Sequence, residues 1–169
     1  MGSQVRTVTI VLLGILVVVA AVLVPTMWFN LRDLRAADAA GAQAMAAAKE
    51  VAPDLLSYDY RTVEEDLARA GTHTTGQLTE HYKQLTTSLV SRAKAQKIVQ
   101  TVAVAGAGVE RAEPDRVEVL LFVNTGMVKN VPGQAAPQQQ FTQNRARFVM
   151  VRQGSRWLVA DLSTLLGTA

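Results

Sequence analysis

The chain has 169 residues, no cysteine and a formal net charge of +3. Without cysteine, a disulfide framework, a thiolate nucleophile and a thiolate metal site are excluded. The first apolar run of the chain is flanked by Arg6, Arg32, Arg35 and Asp33, which together contribute +2 of this net charge. The rest of the chain has 14 basic and 13 acidic residues and is therefore nearly neutral. A nucleic-acid-binding domain usually carries a basic stripe. We therefore expect no nucleic-acid partner.

Residues 1–7 form a short tail before an uncharged apolar run, Val8–Phe29, of 22 residues. As a helix this run spans about 33 Å, enough to cross a hydrocarbon core of about 30 Å. The alternative is a cleaved signal peptide, but its apolar core has only about 7–15 residues and ends at small residues. Pro25–Phe29 makes a poor cleavage site. We expect an uncleaved transmembrane anchor whose flanking charges alone do not set its orientation.

One side of the predicted anchor carries small residues. Gly14, Val18, Ala21 and Pro25 follow one another at spacings of four, three and four, which places them on one helix face. Small residues let two membrane helices approach closely. We expect this face to contact another membrane span, the alternative being that Gly14 is incidental in a valine-rich span.

Residues 30–57 are rich in alanine, the strongest helix former, and predict a helical stalk. Its large apolar residues are sparse. The helix therefore either packs closely through its alanines or remains a partly free stalk. Pro53 marks a break or the first turn of a continuation.

Two further helices are predicted before the sheet. Thr62, with Glu65 three residues later, predicts a capping box for a short helix that ends at Gly71. Gly76 opens a longer helix. Its apolar residues recur at helical spacing and predict one buried face: Leu78, Tyr82, Leu85, Leu89 and Ala93.

The remaining sequence changes to strand periodicity. The predicted strands are 98–104, 117–123, 146–150 and 156–162. Gln153–Ser155 predicts a hairpin turn, and Gly106 with Gly108 predicts a bulge and shows no phosphate-loop pattern. Helices followed by consecutive strands indicate an α+β domain over 58–169, with helices packed on one face of an antiparallel sheet of about four strands.

Met127–Gln140 is too long and polar for an ordinary hairpin turn. One interpretation is a mobile surface loop without a function. The other is a partner-binding excursion in which Val131, Pro132 and Pro137 take part, because prolines lower the conformational entropy that a loop loses when it becomes ordered on binding.

The residues that could carry chemistry do not form a recognisable site. His73 and His81 lack the three or four convergent ligands that a zinc or iron site needs. Asp59 and Asp161 are the best candidates for a general base, but neither has a histidine partner in its local sequence. We predict no catalytic, cofactor or metal site.

Four segments carry a resemblance to a known family: Leu55–Thr62 with Asp66–Leu67, Val119–Asn124, Arg147–Arg152 and Arg156–Leu162. With the anchor and the alanine-rich helix before them, they resemble the Mce-associated membrane proteins of actinobacteria. The resemblance implies a cone-shaped α+β domain like that of nuclear transport factor 2, held on the outer face of the plasma membrane with the amino terminus in the cytoplasm. It brings no functional residue set.

The same resemblance implies a non-catalytic accessory subunit of an Mce-type lipid importer, with the permease and other Mce transporter subunits and membrane lipid as partners. Two alternatives remain open. One is an assembly scaffold subunit of a secretion or conjugation channel, since such machines also use an anchor followed by this fold. The other is a membrane-tethered domain of this fold that binds lipid or acts as an enzyme.

Overall fold

The computed structural model describes residues 31–134 and 136–165, without the side chains of Leu85, Thr86 and Leu165. The chain divides after Asp38 into two units. In the first unit, the described residues 31–38 are helical. No helix within the described part of the chain is long and apolar enough to cross a membrane. The predicted anchor, Val8–Phe29, lies outside the described residues.

The second unit is an α+β domain. Its first helix, α1, covers 39–56 and is followed by the short strand β1, Tyr58–Asp59. Two helices and four long strands follow within the described residues. These elements are α2 (Val63–Gly71), α3 (Gln77–Gln96), β2 (Val99–Ala112), β3 (Arg116–Lys129), β4 (Gln138–Gln153) and β5 (Arg156–Leu165).

The strands form one antiparallel sheet of five strands in the order β1-β2-β3-β4-β5. The predicted count of about four was wrong because β1 has only two residues, Tyr58 and Asp59, too few for a visible alternation. Its pairing with β2, Tyr58 opposite Gln100, identifies it as a strand. The turn at Gly154 was predicted correctly, and its φ of 61° explains the glycine.

The core lies between the helices and one face of the sheet. The alternating β3 residues Val117, Val119 and Leu121 are fully buried on this face, as is Phe148 of β4. Alternation of this kind places every second side chain on the same face. The helices α1 and α3 supply the other wall, α3 through Leu78 and Ala93, as its spacing predicted.

The alanine-rich helix packs closely through its alanines. Ala40, Ala44, Ala48 and Ala52 follow one another at intervals of four and are all buried in the same cluster as the inward residues of the sheet. A Cβ added to Gly41 would lie 3.4 Å from the Cβ of Ala112. Residues 39–56 are therefore part of the domain, and the helix continues through Pro53 without a break.

The predicted capping box at the start of α2 was wrong. Thr62 occupies the N-cap position, but its side chain makes no capping hydrogen bond. Instead its hydroxyl donates to the carboxylate of Asp66 at 3.0 Å. The same carboxylate accepts the backbone N–H of Asp59 at 3.0 Å and a bond from Arg69 at 2.6 Å. The Thr62 hydroxyl is therefore held by the buried carboxylate of Asp66, one turn along the helix, and not by a backbone N–H of the first turn.

The predicted strands were too short, chiefly near the predicted excursion. β3 runs to Lys129 and β4 begins at Gln138, with Met127 opposite Gln140. The connection between the strands is therefore only 130–137. The ends of both strands are polar, so their ladder pairing and not an apolar alternation defines them.

Candidate interaction surface

The second face of the sheet carries the outward-pointing residues of the long strands, and none of the described helices covers its centre. We call this surface the open face. It comprises, on the three central strands, Thr101, Ala103, Gly106, Leu120, Phe122, Asn124, Gly126, Phe141, Gln143 and Arg145. Since Val117, Val119, Leu121 and Val123 point into the core, the residues between them must point outward.

Two phenylalanines dominate the open face. Phe141 is 81% exposed and Phe122 is 45% exposed. Each is paired across the ladder with a glycine: Phe141 with Gly126, and Phe122 with Gly106. A Cβ added to Gly126 would lie 3.2 Å from the ring of Phe141, and one added to Gly106 would lie 3.7 Å from the ring of Phe122. The absence of a side chain on each glycine therefore lets each ring lie against the neighbouring strand.

A pair of amides separates the two rings. Asn124 and Gln143 lie directly opposite each other on β3 and β4. Two shallow pockets share this pair, one of about 290 Å³ beside Phe122 and one of about 460 Å³ beside Phe141. Exposed aromatic anchors beside hydrogen-bonding groups are typical of protein–protein interfaces.

The two arginines of β4 differ in their surroundings. Arg147 is half-buried, and its Nε lies 2.6 Å from Oε2 of Glu110. Glu110 sits at an irregularity of β2, where the register shifts between Val109 and Arg111. Arg145 is exposed beside Phe122. The open face thus offers a positive charge next to an aromatic ring.

The two candidate general bases lie at opposite edges of the sheet. Asp59 is on β1 and Asp161 on β5, four strand spacings apart, or about 19 Å. Hydrogen bonds from the side chain and backbone of Arg61 lower the pKa of Asp59, which weakens it as a proton acceptor. Asp161 was predicted to follow its strand but lies within β5, where its Oδ1 accepts the N–H of Leu162 at 2.9 Å.

The tyrosines beside Asp59 are half-buried and do not face a shared cavity with Asp161. Tyr58 packs in the smaller apolar cluster around Val63 and Ile98, as does Tyr60. Burial raises the pKa of Tyr58 above its usual value. Asp161 therefore lies at the sheet edge opposite to Tyr58 and Tyr60.

The histidines are also separate. Nε2 of His73 lies 3.3 Å from Oδ2 of Asp54, a contact that the local sequence could not reveal. His81 is exposed on α3. The part of the chain that the structure describes contains no group of three or more His, Cys, Asp or Glu residues that could hold a metal ion.

The predicted partner-binding residues fall in two places. Gly14, Val18, Ala21 and Pro25 lie outside the described residues. Val131, Pro132 and Pro137 lie in the connection 130–137, where Pro132 and Pro137 are exposed. The N–H of Asn130 donates to the carbonyl of Gln96 at 2.7 Å, which ties the start of this connection to the end of α3.

Sequence reasoning missed the open face, although a signal was present. Phe122 stands between Leu121 and Val123, whose alternation predicts that both point into the core. A large aromatic residue at an outward position of the same strand is an exposed anchor. Phe141 gave no such signal because residues 141–145 were assigned to no element, between the excursion that was predicted to end at Gln140 and the strand predicted over 146–150.

The chain is similar to mycobacterial proteins along most of its length. The signature of the family described as "Uncharacterized protein Rv1363c/MT1408-like" matches residues 3–158. "Outer membrane protein Rv1973" of Mycobacterium tuberculosis is 33% identical over 135 residues, covering 78% of this chain and 80% of that protein. "Uncharacterized protein Rv1362c" of the same species is 28% identical over 132 residues. The chain spans 58% of the length of this second relative.

The fold is shared with solved proteins of much lower identity. An IcmL-like type IV secretion system protein from Legionella pneumophila superposes with a TM-score of 0.55 at 11% identity, covering 73% of this chain and 91% of that one. CagV, a VirB8 homolog from Helicobacter pylori, gives 0.54 at 8%, with 73% and 96% covered. An Ntf2-like protein involved in plasmid conjugation gives 0.53 at 15%, with 76% and 50% covered.

These likenesses confirm the predicted α+β class and the similarity to the fold of nuclear transport factor 2. At such identities they concern the fold alone. The family match is different in kind, because it extends over nearly the whole chain. The protein belongs to the Rv1363c/MT1408-like family.

Proposed function

We propose that this protein is a non-catalytic assembly subunit of a multiprotein transport complex in the bacterial cell envelope. The observation that carries the proposal is the open face, where Phe122 and Phe141 are exposed on either side of the amide pair Asn124 and Gln143. Covering a phenylalanine side chain is worth about 1.5–3 kcal/mol. A partner subunit that covers both rings would gain most of that energy at Phe141, which is 81% exposed, and about half of it at Phe122, which is 45% exposed.

The shape of this surface favours a macromolecule over a small substrate. Its two pockets are shallow and lie on one face of a sheet, whereas small-molecule sites bury most of the ligand surface in a concavity. Arg145 and the two amides supply polar contacts beside the rings. The surface has the composition of an interface core with a polar rim.

A secretion or conjugation channel is the complex that the fold favours. Three solved proteins with this fold take part in type IV secretion or plasmid conjugation. This support is an analogy of fold, which many functions can share. We therefore propose a scaffold role of the VirB8 kind and assign no individual contact by analogy.

An Mce-type lipid importer is the second candidate, and a different observation favours it. The segments Leu55–Thr62, Arg147–Arg152 and Arg156–Leu162 resemble Mce-associated membrane proteins. In that case the partners are Mce transporter subunits and membrane lipid, with the permease contacting the predicted anchor.

We further propose a plasma-membrane location with a single span, the amino terminus in the cytoplasm and the domain on the outer side. The length of the apolar run Val8–Phe29 supports the span. A reporter that works only in the cytoplasm, fused after Ala169, should be silent. Activity of that fusion would reverse the orientation.

Affinity purification of the tagged full chain from native membranes in a mild detergent, followed by mass spectrometry, tests the function. Recovery of secretion-channel subunits supports the first candidate, and recovery of Mce subunits the second. The variant Phe122→Ser/Phe141→Ser should lose its partners. Val109→Ser, which removes an apolar side chain about as exposed as Phe122 from the helix-bearing face, should keep them. Recovery that does not change between these variants would contradict docking through the open face.

The predicted anchor contact has a separate test. Gly14→Leu with Ala21→Leu should weaken co-purification of a membrane-spanning partner and leave membrane insertion intact. Val18→Leu on the same face is the control for added bulk at a position that is already large. Full recovery of the partner with the double variant would show that the anchor is only a tether.

A further inference from the structure

The strand β5 is an edge strand, and a short segment of the chain already pairs with part of its outer edge. Thr74 forms a parallel bridge with Val159. The N–H of Val159 donates to the carbonyl of His73 at 2.8 Å, and the N–H of Thr75 donates to the carbonyl of Val159 at 2.9 Å. The first part of this edge is therefore occupied by an extended segment that runs parallel to β5.

Several side chains hold this segment in place. Thr74 is buried, and its hydroxyl lies 2.9 Å from the carbonyl of Gly71 and 2.9 Å from the hydroxyl of Thr79. The side chain of Gln153 donates to the hydroxyl of Thr75 at 2.7 Å. The segment is thus a fixed template at one end of the edge.

Beyond Val159 the edge has no strand partner among the described residues. The ladder with β4 shifts at Ala160, because Val149 pairs with Asp161 and Met150 pairs with Val159. Since backbone groups alternate between the two sides of a strand, Leu162 and Thr164 then direct their N–H groups outward. The N–H of Leu162 is accepted by the carboxylate of its own neighbour, Asp161, at 2.9 Å.

The Asp161 carboxylate thus caps the outward N–H of Leu162 in a contact that a partner strand could replace. It satisfies one outward donor with an exposed side chain that can rotate away. Inward-turned or capping charges of this kind protect sheet edges from uncontrolled pairing. The carboxylate that is released when a partner carbonyl takes the Leu162 N–H would face the incoming chain.

A groove of about 680 Å³ accompanies the open part of the edge, between β5 and the first two turns of α3. Apolar Leu78, Ala160 and Leu162 contribute to its lining, with Gln77, Gln84 and His81 around them. The edge residues 161–165 span about 17 Å, the length of five extended residues. The groove therefore offers both a row of backbone partners and alternating side-chain contacts.

We infer that this groove binds an extended peptide segment of a partner protein, which adds as a further strand parallel to β5 beyond Thr75. The peptide carries apolar residues at alternate positions, directed toward Leu78 and Leu162, and a lysine or arginine that pairs with the released carboxylate of Asp161. Main-chain hydrogen bonds supply the affinity in such strand additions, and the side-chain pockets supply the selectivity. The inference extends the proposed assembly role with a second docking site, at the sheet edge.

The test uses the full chain in lipid nanodiscs and hydrogen exchange read by mass spectrometry. The probe is a mixture of blocked heptapeptides with valine at alternate positions, lysine at the centre and mixed residues elsewhere. We expect it to slow exchange at the amides of Leu162 and Thr164. A mixture that is N-methylated at the residues between the valines keeps the side chains but removes the donors that face β5, just as His73 and Thr75, and not Thr74, bond Val159. It should give no protection.

Charge reversal tests the role of Asp161. Asp161→Lys should weaken peptide binding, read as protection, by about fivefold or more, because that factor is the upper end of the contribution of one exposed ion pair. Asp115→Lys, an equally exposed aspartate in the turn between β2 and β3, is the matched control and should bind like the wild type. Thermal unfolding of each variant verifies that the fold is kept.

Three outcomes would overturn the inference: no protection at millimolar peptide, equal protection by the N-methylated mixture, or protection that rises with protein concentration without peptide. The last would identify a second copy of this chain as the occupant of the edge. Phe122→Ser/Phe141→Ser should leave the edge protection unchanged. Failure at the edge is therefore distinguishable from failure of the open face.

Discussion

The hydroxyl of Tyr82 on α3 donates a 2.9 Å hydrogen bond to the backbone carbonyl of Leu55. Leu55 lies in the last turn of α1, where carbonyl groups have no partner within the helix. The bond therefore caps α1 and joins it to a helix that follows later in the sequence. It also fixes the point at which the chain leaves α1 for β1.

Removing this hydroxyl should destabilise the domain. Tyr82→Phe keeps the ring and leaves the Leu55 carbonyl without this donor, so we expect the free energy of unfolding to fall by about 1–2 kcal/mol. Urea unfolding measures the change. Tyr60→Phe, on another half-buried ring, should change it by less than about 0.5 kcal/mol. Equal effects of the two substitutions would contradict the assigned role of Tyr82.

The stability of the wild type and that of Tyr82→Phe should depend differently on alkaline pH. Burial raises the pKa of Tyr82 to about 12 from a usual value of 10.0. In this range the unfolded chain loses the phenol proton first, so the stability that Tyr82 contributes is complete below pH 10 and is lost as the pH rises toward 12. Unfolding measured at intervals across that range should fall more steeply for the wild type than for Tyr82→Phe. Parallel curves would argue against a buried phenol.

A second comparison concerns the start of α2. Asp66→Ala removes the buried acceptor of the Asp59 N–H and the Thr62 hydroxyl, and we expect a loss of about 2–3 kcal/mol. Glu65→Ala, which would break a capping box, should change stability by less than about 0.5 kcal/mol because Glu65 is exposed. Chemical unfolding of both variants measures these two losses of stability. A larger loss for Glu65→Ala than for Asp66→Ala would indicate that the capping box does form.

The close approach of α1 to the sheet can be tested by adding bulk. Ala44→Leu places a larger side chain at a fully buried position and should destabilise the domain by about 1–3 kcal/mol. Ala46→Leu, two residues away on the exposed side of the helix, should be neutral to within about 0.5 kcal/mol. If Ala44→Leu were neutral, the helix would not be packed through its alanines.

The connection 130–137 should be dispensable for folding. Replacing residues 131–136 by a short Gly-Ser linker leaves Lys129 opposite Gln138, so both strands can still pair. We expect unchanged stability and, if Val131 and Pro132 contact a partner, reduced recovery of the complex. Replacement with serines of the same length is the control for the turn itself. Full recovery with both replacements would show that the connection is only a surface loop.

The elements with a strong period could be predicted from the sequence. Val117, Val119, Leu121 and Val123 alternate, and Leu78, Leu89 and Ala93 recur at helical spacing, because burial of one face imposes these periods on the chain. The hairpin turn at Gly154 was equally visible, since a two-residue connection needs a residue that tolerates positive φ. These features depend on residues that are close together in the chain, so the sequence alone predicts them.

Tertiary structure alone decided the remainder. The alanines of α1 are compatible with a stalk or with a close contact, and their burial against the inward residues of the sheet shows that the close contact forms. The strand β1 exists only because Gln100 and Val99 lie opposite it. The same holds for the part of the open face around Phe141, which is an exposed strand residue only because its pairing with Gly126 extends β4 into a polar stretch. In each case the deciding interaction joins residues far apart in the chain, so no local pattern could carry it.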